Sequence, residues 1–315
     1  MMVGLGELLW DLLPTGKTLG GAPANFAYMA NLFGNRGIIA SRVGPDGLGR
    51  EACDVIAERG LETRFVQQDD SHETGFAGIL LNQSGEPNFT INKPAAWDYF
   101  EWTPLWEELA ATADVVCFGS LAQRMPTSAT TIEKFLRSTS ADALKICDAN
   151  LRNPFYSTEI LTRSFTYADV LKLNEAELHQ IGSLLKFRQG DLNEVASALL
   201  HQFGLRLVCI TRGFRGSVMI SKDEVIEHAG IPVEVADTIG AGDAFTACVA
   251  HCLIHGYSLK KISDSANRLA AWVTTQAGAT PTMTEAQLIE LTGVGVAGRV
   301  SAPQAEVSAK IVDSH

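Results

Sequence analysis

Short apolar runs alternate with amphipathic stretches along most of this 315-residue chain, and that alternation restricts the fold more than any other feature. "MMVGLGELLW" reads as a strand and "APANFAYMANLFG" as a helix that ends at Gly34. "GIIASRVG" and "GREACDVIAERG" repeat the pair, the helix closing at Gly60. Then come "ADVVCFGS", "TTIEKFLRST", "LKICDAN", "ADVLKLN", "EVASALLHQFG", "RLVCITRG" and "SVMI". The strand runs are apolar on both faces, so both faces must be covered, and the intervening helices supply the cover. This predicts an α/β chain built on a mainly parallel sheet with helices on each side. Ligands in such sheets bind at the carboxyl ends of the strands.

One segment breaks the pattern. "ETGFAGILLNQSGEPNFTINKPAAWD" holds two runs of alternating residues joined by a turn-rich "NQSGEP", which is a hairpin signal. A hairpin between two βα units has no place in a parallel core. It is expected to form a small lid over the strand ends, from segments at about 12–19 and 72–98. The whole reads as one domain, 1–293. Beyond it the composition turns small and polar, which predicts a loosely held tail over 294–315.

Composition excludes some functions. A net charge of −11 argues against a sequence-independent grip on nucleic acid, which needs a basic face. It leaves room for anionic ligands, because a local cluster of N–H groups and one arginine can hold a phosphate in an acidic protein. No basic start leads into a long apolar run, and no window of about 18 apolar residues occurs, so a cytoplasmic protein without a membrane partner is expected. The six cysteines show no CxxC or zinc-ligand spacing and read as buried reduced thiols. The seven histidines show no metal-binding pattern either.

The stretch "VADTIGAGDAFTACVA", 235–250, carries the most chemistry. Gly240 and Gly242 would each cost about 1 kcal/mol inside a helix relative to alanine. Placed in a turn just before a helix, they instead leave backbone N–H groups facing outward, where an anion can sit. Taken singly, Asp243 is explained equally well as a helix cap. "LGGAPANFA", 19–27, pairs two glycines with Pro23 in a first helical turn and with Asn25, a donor and acceptor suited to hydroxyl-rich ligands. Asp11 falls at the end of the first predicted strand. Asp148, Asn150 and Arg152 follow another strand, Asn174 and Glu177 a third, and Thr211, Gly213 and Gly216 a fourth. Each alone is an ordinary cap or turn; together they crowd one rim of the sheet. Two decoys fail. "TGKT" at 15–18 lacks the earlier glycine of a phosphate-binding loop, and "GLGELL" lacks the third glycine of a dinucleotide fingerprint.

Gly-Gly-Ala-Pro-Ala-Asn at 20–25 and Asp-Thr-Ile-Gly-Ala-Gly-Asp at 237–243 resemble the two signatures of the ribokinase-like (PfkB) carbohydrate kinases. The similarity runs in order from about residue 3 to 290. "GELLWDLLPTG", "SRVGPDGLG", "AAWDYFEW", "FGSLAQR", "NLRNPFY" and "LKLNEAEL" are most similar to bacterial fructokinases within that family. The resemblance implies a ribokinase-like three-layer α/β/α sandwich with a small β-sheet lid. It implies ATP, Mg²⁺ and K⁺ as cofactors, a small sugar as acceptor, and a homodimer formed through the lid.

Residue by residue, it implies that Asp11, Gly20, Gly21 and Asn25 contact the sugar. Gly240, Ala241 and Gly242 would form the anion hole and Asp243 the catalytic base, with Arg152 near both sugar and phosphate. Asn174 and Glu177 would organise magnesium and phosphates, Glu177 through water. Thr211, Gly213 and Gly216 would form a nucleotide-binding turn, with Asn267 beside the adenine. Asp237, Ile239, Val273, Gln276 and Gly278 would enclose a potassium ion, largely through carbonyls. Two departures stand out: Cys248 replaces a common glycine, and "TPTMTE" lacks a proline after Gly278.

The sequence therefore predicts an ATP-dependent sugar kinase acting on D-fructose. The alternatives within the class are kinases for ribose, 2-keto-3-deoxygluconate or a nucleoside. Outside it stand a sugar- or nucleotide-sensing protein, which has no need of an intact Asp243, and a nicotinamide oxidoreductase, which the incomplete fingerprint disfavours.

Overall fold

The computed structural model describes residues 1–13, 16–81, 87–187 and 190–297. The chain opens with β1 (Met2–Leu5), β2 (Leu9–Leu13), β3 (Gly16–Gly20), α1 (Ala22–Leu32), β4 (Gly37–Val43), α2 (Gly47–Glu58) and β5 (Val66–Gln68). The hairpin β6 (Gly75–Leu81) and β7 (Pro87–Ile91) follows, then α3 (Pro104–Thr112), β8 (Val115–Gly119), α4 (Pro126–Arg137) and β9 (Leu144–Asp148). After these come α5 (Thr158–Tyr167), β10 (Val170–Asn174), α6 (Glu175–Leu184), α7 (Leu192–Phe203) and β11 (Leu207–Thr211). β12 (Ser217–Ser221), β13 (Val225–His228), α8 (Ala241–Ile254), α9 (Leu259–Thr274) and α10 (Glu285–Thr292) complete the described chain.

Nine strands form one sheet in the order β13-β12-β11-β10-β9-β8-β1-β4-β5. Neighbours from β11 to β5 are parallel, while β12 pairs antiparallel with both β11 and β13 at one edge. Successive side chains on a strand point to opposite faces, so each buried strand feeds two cores. On β11, Leu207 and Cys209 join the core that holds Phe26, Phe245 and Leu269. Val208 and Ile210 join the other, with Trp106, Phe135, Phe165 and Leu199. This is the three-layer arrangement that apolar strands require. The short strands β5 and β13 escaped the sequence reading because neither carries an apolar run; β13 is half exposed at the sheet edge.

Strand order reverses beside β1, which has β4 on one side and β8 on the other. Connections from the two strands part at that point and leave a crevice over their carboxyl ends. A second sheet, β3-β2-β6-β7, forms the lid. Its boundary differs from expectation: β1 stops at Leu5, and β2 already belongs to the lid from Leu9. Asp11 therefore sits on a lid strand, opposite Thr18 and Ala77, and not at the end of a core strand. The cause is the break at Gly6–Leu8, which the sequence marks only with Gly6 and Glu7 inside an otherwise apolar run.

At the other end of the chain, Gly293 closes α10 in a left-handed conformation. Val294 and Val296 are buried beyond it, and Ala297 N–H donates to Phe33 O at 2.8 Å. The rest of the expected tail, 298–315, lies outside the described residues, as do the lid turn residues 14–15 and 82–86. All six cysteines are free, and five of them are buried. Among the described residues no helix is long and apolar enough to cross a membrane.

Candidate active site

α8 begins at the crevice without a side-chain cap. Gly240 stands before it at φ 80°, and a Cβ there would lie 2.5 Å from Ala279 Cα, so only glycine fits the turn. A Cβ on Gly242 would lie 2.8 Å from Lys172 Nζ. The N–H groups of the first helical turn thus stay free of intrahelical partners, with a buried ammonium beneath them and the positive end of the helix dipole at the same point. This is a site for an anion.

Asp243, in that first turn, does not cap the helix. Its Oδ2 accepts from Asn25 Nδ2 at 2.8 Å, which ties α8 to α1. Burial raises its pKa to about 6, helped by Asp148 and opposed by Lys172, the Asn25 hydrogen bond and Arg152. A carboxyl poised there can take a proton near neutrality.

Two cavities meet at the start of α8. One, of about 440 Å³, is lined by Asp11, Gly21, Asn25, Arg152, Gly240 and Asp243, among others. The other, of about 590 Å³, is lined by Asn174, Thr211, Gly213, Gly216, Ala241 and Asn267 with a largely apolar remainder. Thr238 and Gly242 line both. A polar cavity and a larger apolar one therefore share the anion-binding turn as their common wall.

Residues 14–286 match the model of the pfkB family carbohydrate kinases. The chain belongs to that family. It is 32% identical to a fructokinase of Escherichia coli over 87% of this chain and 93% of the relative. A sugar kinase of Pyrococcus horikoshii solved in complex with ATP is 25% identical, with a TM-score of 0.75 and coverage of 91% of this chain and 96% of that one. A fructokinase of Xylella fastidiosa with bound ATP shares the fold at a TM-score of 0.79 and 22% identity, covering 93% of this chain and 98% of that one.

Most site residues named from the kinase's sequence gather around these cavities. Gly20 lies on β3 just outside the smaller one, where a Cβ would come within 2.3 Å of Asp11 Oδ2. Asp11 itself has its pKa raised by burial, with Arg152 acting against the shift. Asn267 Nδ2 donates to Ser217 Oγ and Ser263 O, both at 2.7 Å, which fixes the amide in the wall of the larger cavity.

Glu177 lines neither cavity. It forms a reciprocal cap with Asn174, and its two oxygens accept from Asn174 N–H and Leu151 N–H at 2.8 Å each. Asp237 lines neither cavity, but it joins two segments: its Oδ1 accepts from Ile239 N–H at 3.0 Å and its Oδ2 from Gly278 N–H at 3.2 Å. Ile239 lines the smaller cavity, whereas Val273, Gln276 and Gly278 stand away from both.

Two residues escaped the sequence reading. Lys172 is buried on β10 beside its cross-strand neighbour Asp148, with Nζ 3.1 and 3.0 Å from the two carboxylate oxygens. Burial alone would favour the neutral amine, but Asp148, Asp243 and Glu177 more than offset it and raise the pKa. Thr246 completes the group, donating to Gly242 O at 2.9 Å and lying 3.3 Å from Asp148 Oδ2. The second is Glu7, a buried acid after β1. In both cases the signal was a charged residue inside an apolar run.

Proposed function

We propose that this carbohydrate kinase transfers the γ-phosphoryl group of ATP to D-fructose, giving fructose 6-phosphate, with Asp243 as general base. One observation carries the reading: Asp243 and the open first turn of α8 stand where a sugar-sized polar cavity meets a nucleotide-sized apolar one. Asp11, Gly21 and Asn25 would orient the sugar. Asp243 takes the proton of the attacking hydroxyl as oxygen bonds to phosphorus and ADP leaves. The transferring group spreads negative charge over its oxygens, so the N–H groups of Ala241 and Gly242, with Lys172 behind them and Arg152 at the rim, stabilise it. The lid keeps out water that would compete as acceptor.

Mg²⁺ would supply charge neutralisation on the ATP phosphates. Asn174, in the wall of the nucleotide cavity, and Glu177, with both oxygens held by backbone amides, would hold that ion, Glu177 through water. For fructose, the support is the Escherichia coli relative at 32% identity. The test is a panel of sugars in an ADP-release assay. Fructose is expected to show a higher kcat/KM than ribose, glucose or 2-keto-3-deoxygluconate. Ribose or the keto acid outperforming fructose would overturn the substrate and leave the kinase standing.

The loops joined by Asp237 are the proposed site of a monovalent cation. Backbone carbonyls and carboxylate oxygen are hard donors that suit K⁺ and select by size and ligand number. Activity in potassium is expected to exceed that in sodium at fixed ionic strength; equal rates would count against the site.

A further inference from the structure

A buried acid follows β1 that phosphoryl transfer, as described, does not use. Glu7 is 3% exposed, and its Oε2 has no hydrogen-bond partner among the described residues. Leaving a buried oxygen unpaired costs roughly 1–3 kcal/mol, so the atom calls for a partner the polypeptide does not supply. Glu7 lines the sugar cavity and also a second, narrow cavity of about 10 Å³ beneath it. That volume is the room of about one water molecule. Asp243 lines both cavities too, and Ser120, Asp148 and Thr246 bring polar groups into the mostly apolar lining of the small one. Oε2 is closed off from solvent, and of the two cavities that Glu7 lines the small one is too narrow for a sugar.

We propose that Glu7 is a positioning residue for the catalytic base, holding one buried water against Asp243 through an uncharged carboxyl. The inference rests on Asp243 being that base. The Glu7 hydroxyl donates to the water, and the water donates to the Asp243 carboxylate. Its second hydrogen can go to Ser120 Oγ, whose own proton is donated to Ala149 O at 2.8 Å. With Asn25 on Oδ2 at 2.8 Å, the carboxylate is then fixed from two sides and keeps a lone pair for the sugar hydroxyl. The surroundings keep a fraction of the acid uncharged up to neutral pH. Burial lifts the Glu7 pKa to about 7 and Asp243 adds to the rise, against its own backbone N–H, Arg152 and Arg124. Asp148 and Lys172 pair at 3.0 Å in the same interior, Glu177 is buried near them, and Arg124 is paired with the buried Asp98.

The experiment compares the whole enzyme with Glu7→Met and Glu7→Gln, measuring kcat, sugar KM and the pH dependence of kcat/KM. Methionine matches the length and adapts to the space but donates nothing; glutamine keeps an N–H donor. Glu7→Met is expected to lower kcat by roughly 10–100-fold with little change in KM, as a misplaced base would. Its acid limb should move to higher pH, because the carboxylate has lost a donor. Glu7→Gln should recover most of the rate and keep the wild-type limb. Normal kcat in Glu7→Met overturns the proposal. So does a raised KM at unchanged kcat, which would put Glu7 on the sugar, or equal losses in both variants, which would mean simple space filling. A high-resolution crystal structure of the wild type decides independently of how the variants fold: an ordered water bonded to Glu7 and Asp243 supports the proposal, and its absence overturns it. Asp243→Asn losing turnover while Glu7→Met keeps it sinks this inference alone; neither losing turnover sinks the base as well.

Discussion

Asp243→Asn is expected to reduce kcat by roughly 10²–10⁴ while leaving the melting temperature nearly unchanged. Asparagine keeps the shape and can still pair with Asn25, but it cannot take the proton of the attacking hydroxyl. Were the residue only a helix cap, asparagine would serve almost as well. The structure already speaks against a cap, since the carboxylate bonds to Asn25 and α8 has no side-chain cap. A pH signature accompanies the loss. As a general base Asp243 would work only when ionised, and burial lifts its pKa to about 6, so wild-type kcat/KM should fall as pH drops through that value. The residual activity of Asp243→Asn should lack that limb. A variant with near-normal turnover and an unchanged acid limb would remove Asp243 from the chemistry.

Lys172→Met should be the most damaging single change to stability near the site. Lys172 and Asp148 are 10% and 5% exposed at their side chains and lie 3.0 Å apart. Removing the ammonium leaves Asp148 buried with the Thr246 hydroxyl as its nearest remaining side-chain partner. Breaking a buried pair in this way costs about 3–5 kcal/mol, which for a domain of this size lowers the melting temperature on the order of 10 °C. Turnover should fall as well, because the positive charge beneath Gly242 is gone. The double variant Lys172→Met with Asp148→Leu should regain much of the stability, since no lone charge remains, but not the activity. Calorimetry and kinetics on the three proteins separate the two effects. A stable, active Lys172→Met would show that the pair matters to neither.

How much of this was legible in the sequence follows from what each residue does locally. Gly240, Gly242 and Asp243 stood out because glycines before a run of helix formers contradict local propensity, and such contradictions gather at functional sites. Asn174 and Glu177 were found by spacing, yet spacing cannot tell a capping pair from metal ligands; both oxygens of Glu177 prove to be held by backbone amides. Asp11 was found, but on the wrong sheet, because Gly6 and Glu7 alone mark the break at Gly6–Leu8 within an otherwise apolar run. Lys172 and Glu7 were missed for a related reason. Each sits among leucines, and hydrophobic patterning averages a lone charge away. The informative question was which carboxylate could partner a buried lysine, and Asp148, one strand over in register, was the answer.

Phosphoryl transfer from ATP to a sugar hydroxyl, in one site built around α8, fixes the stoichiometry of the products. The purified protein is incubated with ATP, Mg²⁺ and fructose, and ADP and sugar phosphate are followed together by phosphorus NMR. The account predicts ADP and fructose 6-phosphate appearing one for one, with ADP formation near background when sugar is left out. ADP released without any sugar phosphate, or no turnover of ATP with any sugar tried, would contradict it.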